Sequence, residues 1–115
     1  VHHDTDFEID RRNILRDAAI VDAAWRIVEL NGINALTRSA IAQEADVSPA
    51  SVSNFGRVRL TRGEHDRIGY RERVLAAVMK RAVEKSDLRM MRIGLVDGCL
   101  SLDDVPAGLR ASVRI

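Results

Sequence analysis

Residues 37–56 read Thr37-Arg38-Ser39-Ala40-Ile41-Ala42-Gln43-Glu44-Ala45-Asp46-Val47-Ser48-Pro49-Ala50-Ser51-Val52-Ser53-Asn54-Phe55-Gly56. Two helix starts stand in this stretch. Thr37 and Ser48 are both N-cap types, whose side-chain oxygen accepts from a free N–H of the first helical turn. Pro49 follows at the first helical position, where its missing N–H costs nothing. Ile41, Ala42 and Ala45 have the spacing of an inward face, as do Val52 and Phe55 on the second helix. Ala42 and Ala45 are also small enough to let two crossing helices approach closely. Asp46 and Val47 are left for the turn, and Asp accepts left-handed backbone better than most residues. Two short helices joined by a turn of about three or four residues make a helix-turn-helix.

Upstream, Ile14, Ala18, Val21, Trp25 and Val28 recur at steps of four, three, four and three, with Ala24 on the same side. This pattern predicts an amphipathic helix with Trp25 in its core face, ended by Asn31-Gly32. The acidic, His-containing start predicts a flexible or loosely docked arm over 1–12. Downstream, residues 57–69 contain Gly63 and many charges and read as a basic loop or insertion. Val74, Leu75, Val78, Met79 and Ala82 form one stripe of a helix at about Tyr70–Lys85. Leu88, Met91 and Leu95 mark a further helix that breaks at Asp97-Gly98. The chain thus divides into the arm (1–12), a helix-turn-helix unit (13–56), the basic segment (57–69), helices for core packing and dimerisation (70–98) and a tail (99–115). A short helical turn is expected after Pro106.

Composition agrees with an all-α fold: 46% of residues are apolar but only 3% aromatic, so the core is built from Ala, Val, Ile and Leu. At 115 residues the chain suffices for one domain. Its lone cysteine, Cys99, excludes an internal disulfide and a Cys-based zinc site and suits a reducing cytosol. No apolar run reaches the ~20 residues that span a bilayer, and no signal-peptide pattern opens the sequence, so no membrane partner is expected. Net charge is only +1, yet residues 57–92 carry +6 while 1–36 carry −3. A concentrated basic segment directly after a helix-turn-helix points to phosphate.

The run Ile20-Val21-Asp22-Ala23-Ala24-Trp25-Arg26-Ile27-Val28-Glu29-Leu30-Asn31-Gly32, followed by Leu36-Thr37, Ile41-Ala42 and Ala45-Asp46-Val47-Ser48, resembles the DNA-binding domain of tetracycline-repressor (TetR) family regulators. The likeness covers residues 14–56. The helix-turn-helix alone is also compatible with other bacterial repressors, including the lactose-repressor group. The long preceding helix favours the TetR reading. The resemblance implies a three-helix DNA-binding unit, followed here by one or two helices, whose third helix enters the major groove. Carried over by position, Ser48, Pro49, Ala50, Ser51, Ser53 and Asn54 face the bases, with Asn54 suited to adenine. Thr37 and Arg38 meet phosphate.

Several features depart from the family pattern. Asp46 replaces the usual turn Gly, and Ser53 and Asn54 stand where aromatics are common. Phe55 replaces, one residue early, a Phe expected near Gly56. Arg57, Arg59 and Arg62 take the place of a phosphate-binding Lys. The large ligand-binding domain of full-length members has no counterpart, so the resemblance is to a truncated form. No small-molecule inducer is therefore expected, and control falls to a protein partner, dosage or proteolysis.

These readings predict a sequence-specific regulator of transcription, a repressor acting as a homodimer on double-stranded DNA, cytoplasmic and associated with a bacterial or phage nucleoid. The apolar stripes of the last two helices are the expected pairing surfaces. The alternatives are an architectural, recombination or packaging accessory, or a protein-interaction adaptor using the same fold. No Ser/His/Asp or Cys/His set and no Gly-rich phosphate loop is present, so no enzyme activity is expected. His2 and His3 with Asp4 and Asp6 offer adventitious metal donors only, because a structured site needs ligands converging from ordered elements. No cofactor is expected.

Overall fold

A computed structural model describes the backbone of residues 3–56 and 69–113, with side chains from Arg11 onward. Every regular element among the described residues is helical, so the fold is all-α. Helix α1 spans His3–Asn31, a 3-10 turn covers Ile33–Ala35, α2 spans Arg38–Ala45 and α3 spans Pro49–Ser53. After residues 57–68, α4 runs over Tyr70–Glu84 and α5 over Leu88–Asp97. Two 3-10 turns, Leu102–Asp104 and Ala107–Leu109, lead to the single turn α6, Arg110–Val113.

Helix α1 starts well before the sequence pattern predicts: residues 3–12, expected as a flexible arm, are helical backbone. No Gly or Pro lies between His3 and Asn31, so nothing in the chain stops the helix. Its buried face differs too. Ile20, Val21, Ala23, Ala24, Ile27 and Val28 are buried, whereas Ile14 is 57% exposed and Ala18 also faces solvent. The predicted stripe Ile14–Val21–Val28 repeats every seven residues, and a straight helix drifts ~20° per heptad against such a repeat. Over two heptads the stripe drifts to the edge of the core, so Val28 and Val21 stay buried while Ile14 does not, and Ile20, Ala24 and Ile27 form the centre of the buried face. Trp25 is consequently half-buried at the rim instead of central. Its indole Nε1 donates to Glu29 Oε2 at 2.7 Å, and Lys85 Nζ lies 5.6 Å from the ring centroid.

The helix ends explain the chain's turns. Gly32, at φ 87°, closes α1 with its N–H on Val28 O. Both α2 and α4 end in paired back-bonds around one left-handed residue. Asp46 (φ 57°) donates to Gln43 O while Val47 donates to Ala42 O. Ser86 (φ 54°) donates to Val83 O while Asp87 donates to Ala82 O. This is the Schellman arrangement, built twice without glycine. Asp87 then caps α5 by accepting from Met90 N at 3.0 Å.

All five residues of the α4 stripe, Val74, Leu75, Val78, Met79 and Ala82, are buried. They pack with α1, α5 and the tail residues Leu100, Val105 and Val113 into one core. Each large aliphatic side chain so buried stabilises the fold by ~1.5–3 kcal/mol relative to exposure. The α4 stripe is thus used inside the chain and is not a free pairing surface. On α5 the buried residues are Met90, Met91 and Gly94, with Leu88 and Leu95 only partly covered. Gly94 explains the altered face: its lack of a side chain lets α5 settle against Met79 and Leu100.

The expected turn after Pro106 forms, and a capping box precedes it, in which Ser101 Oγ accepts from Asp103 N and Asp104 Oδ2 accepts from Ser101 N, each at 3.2 Å. Arg92 Nη2 donates to Ser112 O at 2.6 Å and Arg110 Nε to Val105 O at 3.0 Å, which tie the tail down. Within it, burial first and the neighbouring Asp97 second push the Cys99 thiol up to about 11. The thiolate is the reactive form, so iodoacetamide alkylation of the folded protein at pH 8 runs much slower than that of the urea-unfolded chain and accelerates as pH rises toward 11. Equal rates for folded and unfolded protein at pH 8 would contradict this placement.

Candidate nucleic-acid interface

Helices α2 and α3 form the predicted helix-turn-helix, and their local chemistry is as the sequence reads. Thr37 Oγ1 accepts from Ala40 N at 3.1 Å, and Ser48 Oγ accepts from Ser51 N at 3.2 Å. Pro49 opens α3. Ile41, Ala42, Val52 and Phe55 are buried, and Ala45 is half-buried at the crossing. With Val52 and Phe55 turned inward, the opposite side of α3 is fixed outward. Ser48, Pro49, Ala50 and Asn54 are exposed, while Ser51 and Ser53 are partly so.

Thr37 and Arg38 are exposed at the start of α2. Arg38 Nη1 donates to Ser53 Oγ at 3.3 Å, so the two helices share one polar face. Eight of the predicted site residues, Thr37, Arg38, Ser48, Pro49, Ala50, Ser51, Ser53 and Asn54, are thus exposed or partly exposed on α2 and α3, and the bond from Arg38 brings one of each helix together. Arg57, Arg59 and Arg62 lie outside the described residues.

The unit is braced from both sides. Arg26 Nε pairs with Glu44 Oε1 at 2.8 Å, joining α1 to α2, and Arg81 Nη1 pairs with Asp22 Oδ1 at 2.6 Å, joining α4 to α1. Both pairs are partly or largely exposed, so each contributes at most ~1 kcal/mol.

The more consequential brace is one that sequence reasoning misses. Arg73 donates from Nε to Phe55 O at 2.6 Å and from Nη2 to Ser53 O at 2.7 Å. Its fork therefore holds the last carbonyl of α3 and that of Phe55 just beyond it, where the helix end leaves acceptors without intrahelical donors. Arg71 Nη2 likewise donates to Ile33 O at 3.2 Å, holding the turn between α1 and α2. Both arginines lie just past the basic segment, within the +6 stretch 57–92 whose charge suggests phosphate contact. The structure gives them main-chain carbonyls as partners instead. Their spacing carries no signal of this, because the acceptors lie 18 to 38 residues away.

Comparison with protein-family models, curated proteins and solved structures found no match to this chain. The chemistry of the α2–α3 face remains as its own guide. Hydroxyls, an amide and a guanidinium stand on a surface whose central residues, Pro49 and Ala50, are small. Such a surface permits close approach to a flat, hydrogen-bonding partner and offers both donors and acceptors. Among the described residues no group of three or more His, Cys, Asp or Glu is placed to hold a metal ion. No helix among them is long and apolar enough to cross a membrane.

Proposed function

We propose that this protein binds double-stranded DNA through the α2–α3 face and acts as a sequence-specific transcriptional repressor, two copies engaging one operator. The observation that carries this reading is the capped helix-turn-helix, with Val52 and Phe55 buried and a polar row from Ser48 to Asn54 turned outward. A helix so presented fits the major groove with its N-terminal residues nearest the bases. Thr37 and Arg38 then sit where the sugar-phosphate backbone passes the start of α2, with a hydroxyl, a guanidinium and a helix N-terminus for one phosphate. Its resemblance over residues 14–56 to tetracycline-repressor DNA-binding domains supports the same docking and a bacterial or phage cytoplasmic setting.

Fluorescence anisotropy with a random-sequence duplex tests the electrostatic part. Binding weakens linearly in log–log form as salt rises, with a slope of about −0.9 per phosphate contact. Arg38→Ala reduces that slope by about one contact and weakens all duplexes nearly alike. Salt-independent behaviour, or absence of binding at low salt, favours a protein-interaction adaptor. Base reading is tested at Asn54, exposed at the C-cap of α3. Asn54→Ala relaxes preference at one or two base pairs by about 1–2 kcal/mol in competition binding. An unchanged ranking of single-base operator variants would remove Asn54 from the reading set.

A further inference from the structure

Helix α1 has a second face that the chain's own core does not use. Among the described residues four large apolar side chains are exposed, and two of them, Ile14 and Leu15, are adjacent on α1, at 57% and 59% exposure. Ala18, one turn on, is exposed as well, and so are Arg11 and Arg12 one turn back. From Arg11 onward, the first residues of α1 to be buried are Asp17 and Ile20. The helix therefore carries an apolar strip with flanking arginines on a stretch its own chain leaves open to water. Phe7 lies one heptad before Ile14, the spacing of a helix-pairing seam.

The charge order along this stretch selects its occupant. Positions 3–10 hold four carboxylates, Asp4, Asp6, Glu8 and Asp10, and no Lys or Arg. Positions 11–18 hold Arg11, Arg12 and Arg16 and one acid, Asp17, which faces Arg16 at 4.0 Å and leaves Arg11 and Arg12 as the exposed cations. A second copy laid antiparallel, with the overlap centred near residues 10 and 11, brings each acidic run alongside the other's basic one. A parallel arrangement sets like beside like, which is unfavourable. Such self-complementarity is what a two-fold interface requires, since one patch must fit itself.

We infer that the N-terminal half of α1 is the surface through which two copies of this chain pair, as an antiparallel helix pair with Ile14 and Leu15 in the seam. The overlap of residues 3–18 is ~24 Å long at 1.5 Å per residue, so the contact is small and the dimer weak. This pairing stands on the α1 surface alone and holds whether or not the chain binds DNA.

Sedimentation over a concentration series, without DNA, measures it. The parent shifts from monomer toward dimer as concentration rises, and higher salt shifts it back. Ile14→Glu with Leu15→Glu stays monomeric while keeping the parent's circular dichroism and melting temperature, because both side chains already face solvent. Arg11→Glu with Arg12→Glu also abolishes pairing, and adding Asp6→Arg with Asp10→Arg restores it. In a Cys99→Ser background, Arg11→Cys crosslinks between copies on oxidation and His3→Cys does not, whereas a parallel pair gives both. A parent monomeric up to millimolar concentration, a dimer untouched by the two glutamates, or crosslinks through His3→Cys would each overturn the assignment.

Discussion

Replacing Gly94 with Ala destabilises the protein by about 2–3 kcal/mol, although it adds only one methyl group. A Cβ at position 94 falls 2.9 Å from Leu100 Cβ and also runs into Met79 Sδ. Real Cβ atoms essentially never stand so close to another heavy atom. The Met79 side chain is 2% exposed, so turning it aside costs it packed contacts. Leu100 Cβ is attached directly to the backbone and moves only with it. Either α5 slides away from α4 or the tail shifts, and both openings lose packed contacts. Urea denaturation measures the loss. Gly108→Ala is the internal control, because nothing lies within 4 Å of a Cβ there. Equal midpoints for the two variants would contradict the close α4–α5 packing.

The second large effect is expected at Arg73. Arg73→Met leaves Ser53 O and Phe55 O without their guanidinium donors. A hydrogen bond to a charged group contributes ~1.5–3 kcal/mol, and the two share one side chain, so a loss of about 3 kcal/mol is expected for the hold on α3. The loss is local. Hydrogen exchange at Asn54 and Phe55 speeds up markedly, while amides in the centre of α4 and α5 keep most of their protection. If the α2–α3 face reads DNA, duplex affinity falls at temperatures where the fold is intact. Arg73→Lys recovers little, because an ammonium cannot reproduce the planar fork that spans two carbonyls. Uniform acceleration of exchange across the chain would mean that Arg73 supports the whole core rather than α3.

How far these features can be read in the chain depends on how local their causes are. Thr37, Ser48 and Pro49 act within one helical turn, and Asp46 sets its own turn. The helix-turn-helix is therefore legible from residue types alone. The α4 stripe is legible as well, since a single 15-residue helix with one apolar face has one way to bury it. The rotation of α1 is harder to see, because a seven-residue repeat and a 3.6-residue helix agree for one heptad and part over two. On α5 the reading is incomplete for another reason: Leu88, Met91 and Leu95 do lie against the core, but the closest contact is made by Gly94, which a search for large apolar residues passes over. Ser86 closes α4 in a left-handed conformation that no glycine announces. Arg71 and Arg73 are the clearest case. They sit in a charge run that looks like a solvated or phosphate-facing surface, and only the folded chain shows the carbonyls of Ile33, Ser53 and Phe55 beside them. At the candidate site, the outward residues of α3 follow from the two inward ones, Val52 and Phe55. The bond from Arg38 to Ser53 depends on how two helices cross, which no residue of either helix encodes alone.

The central claim is that the outward row of α3 distinguishes base pairs. Selection of bound sequences from random duplex DNA by the full chain tests it most directly. One short motif is enriched, present as two inverted half-sites ~10 bp apart when two copies bind together. Asn54→Ala loses the preference at one or two positions of that motif and keeps the rest. A pool that remains random after repeated selection at moderate salt would contradict the claim, as would an enriched motif that the Asn54, Ser51 and Ala50 positions do not influence.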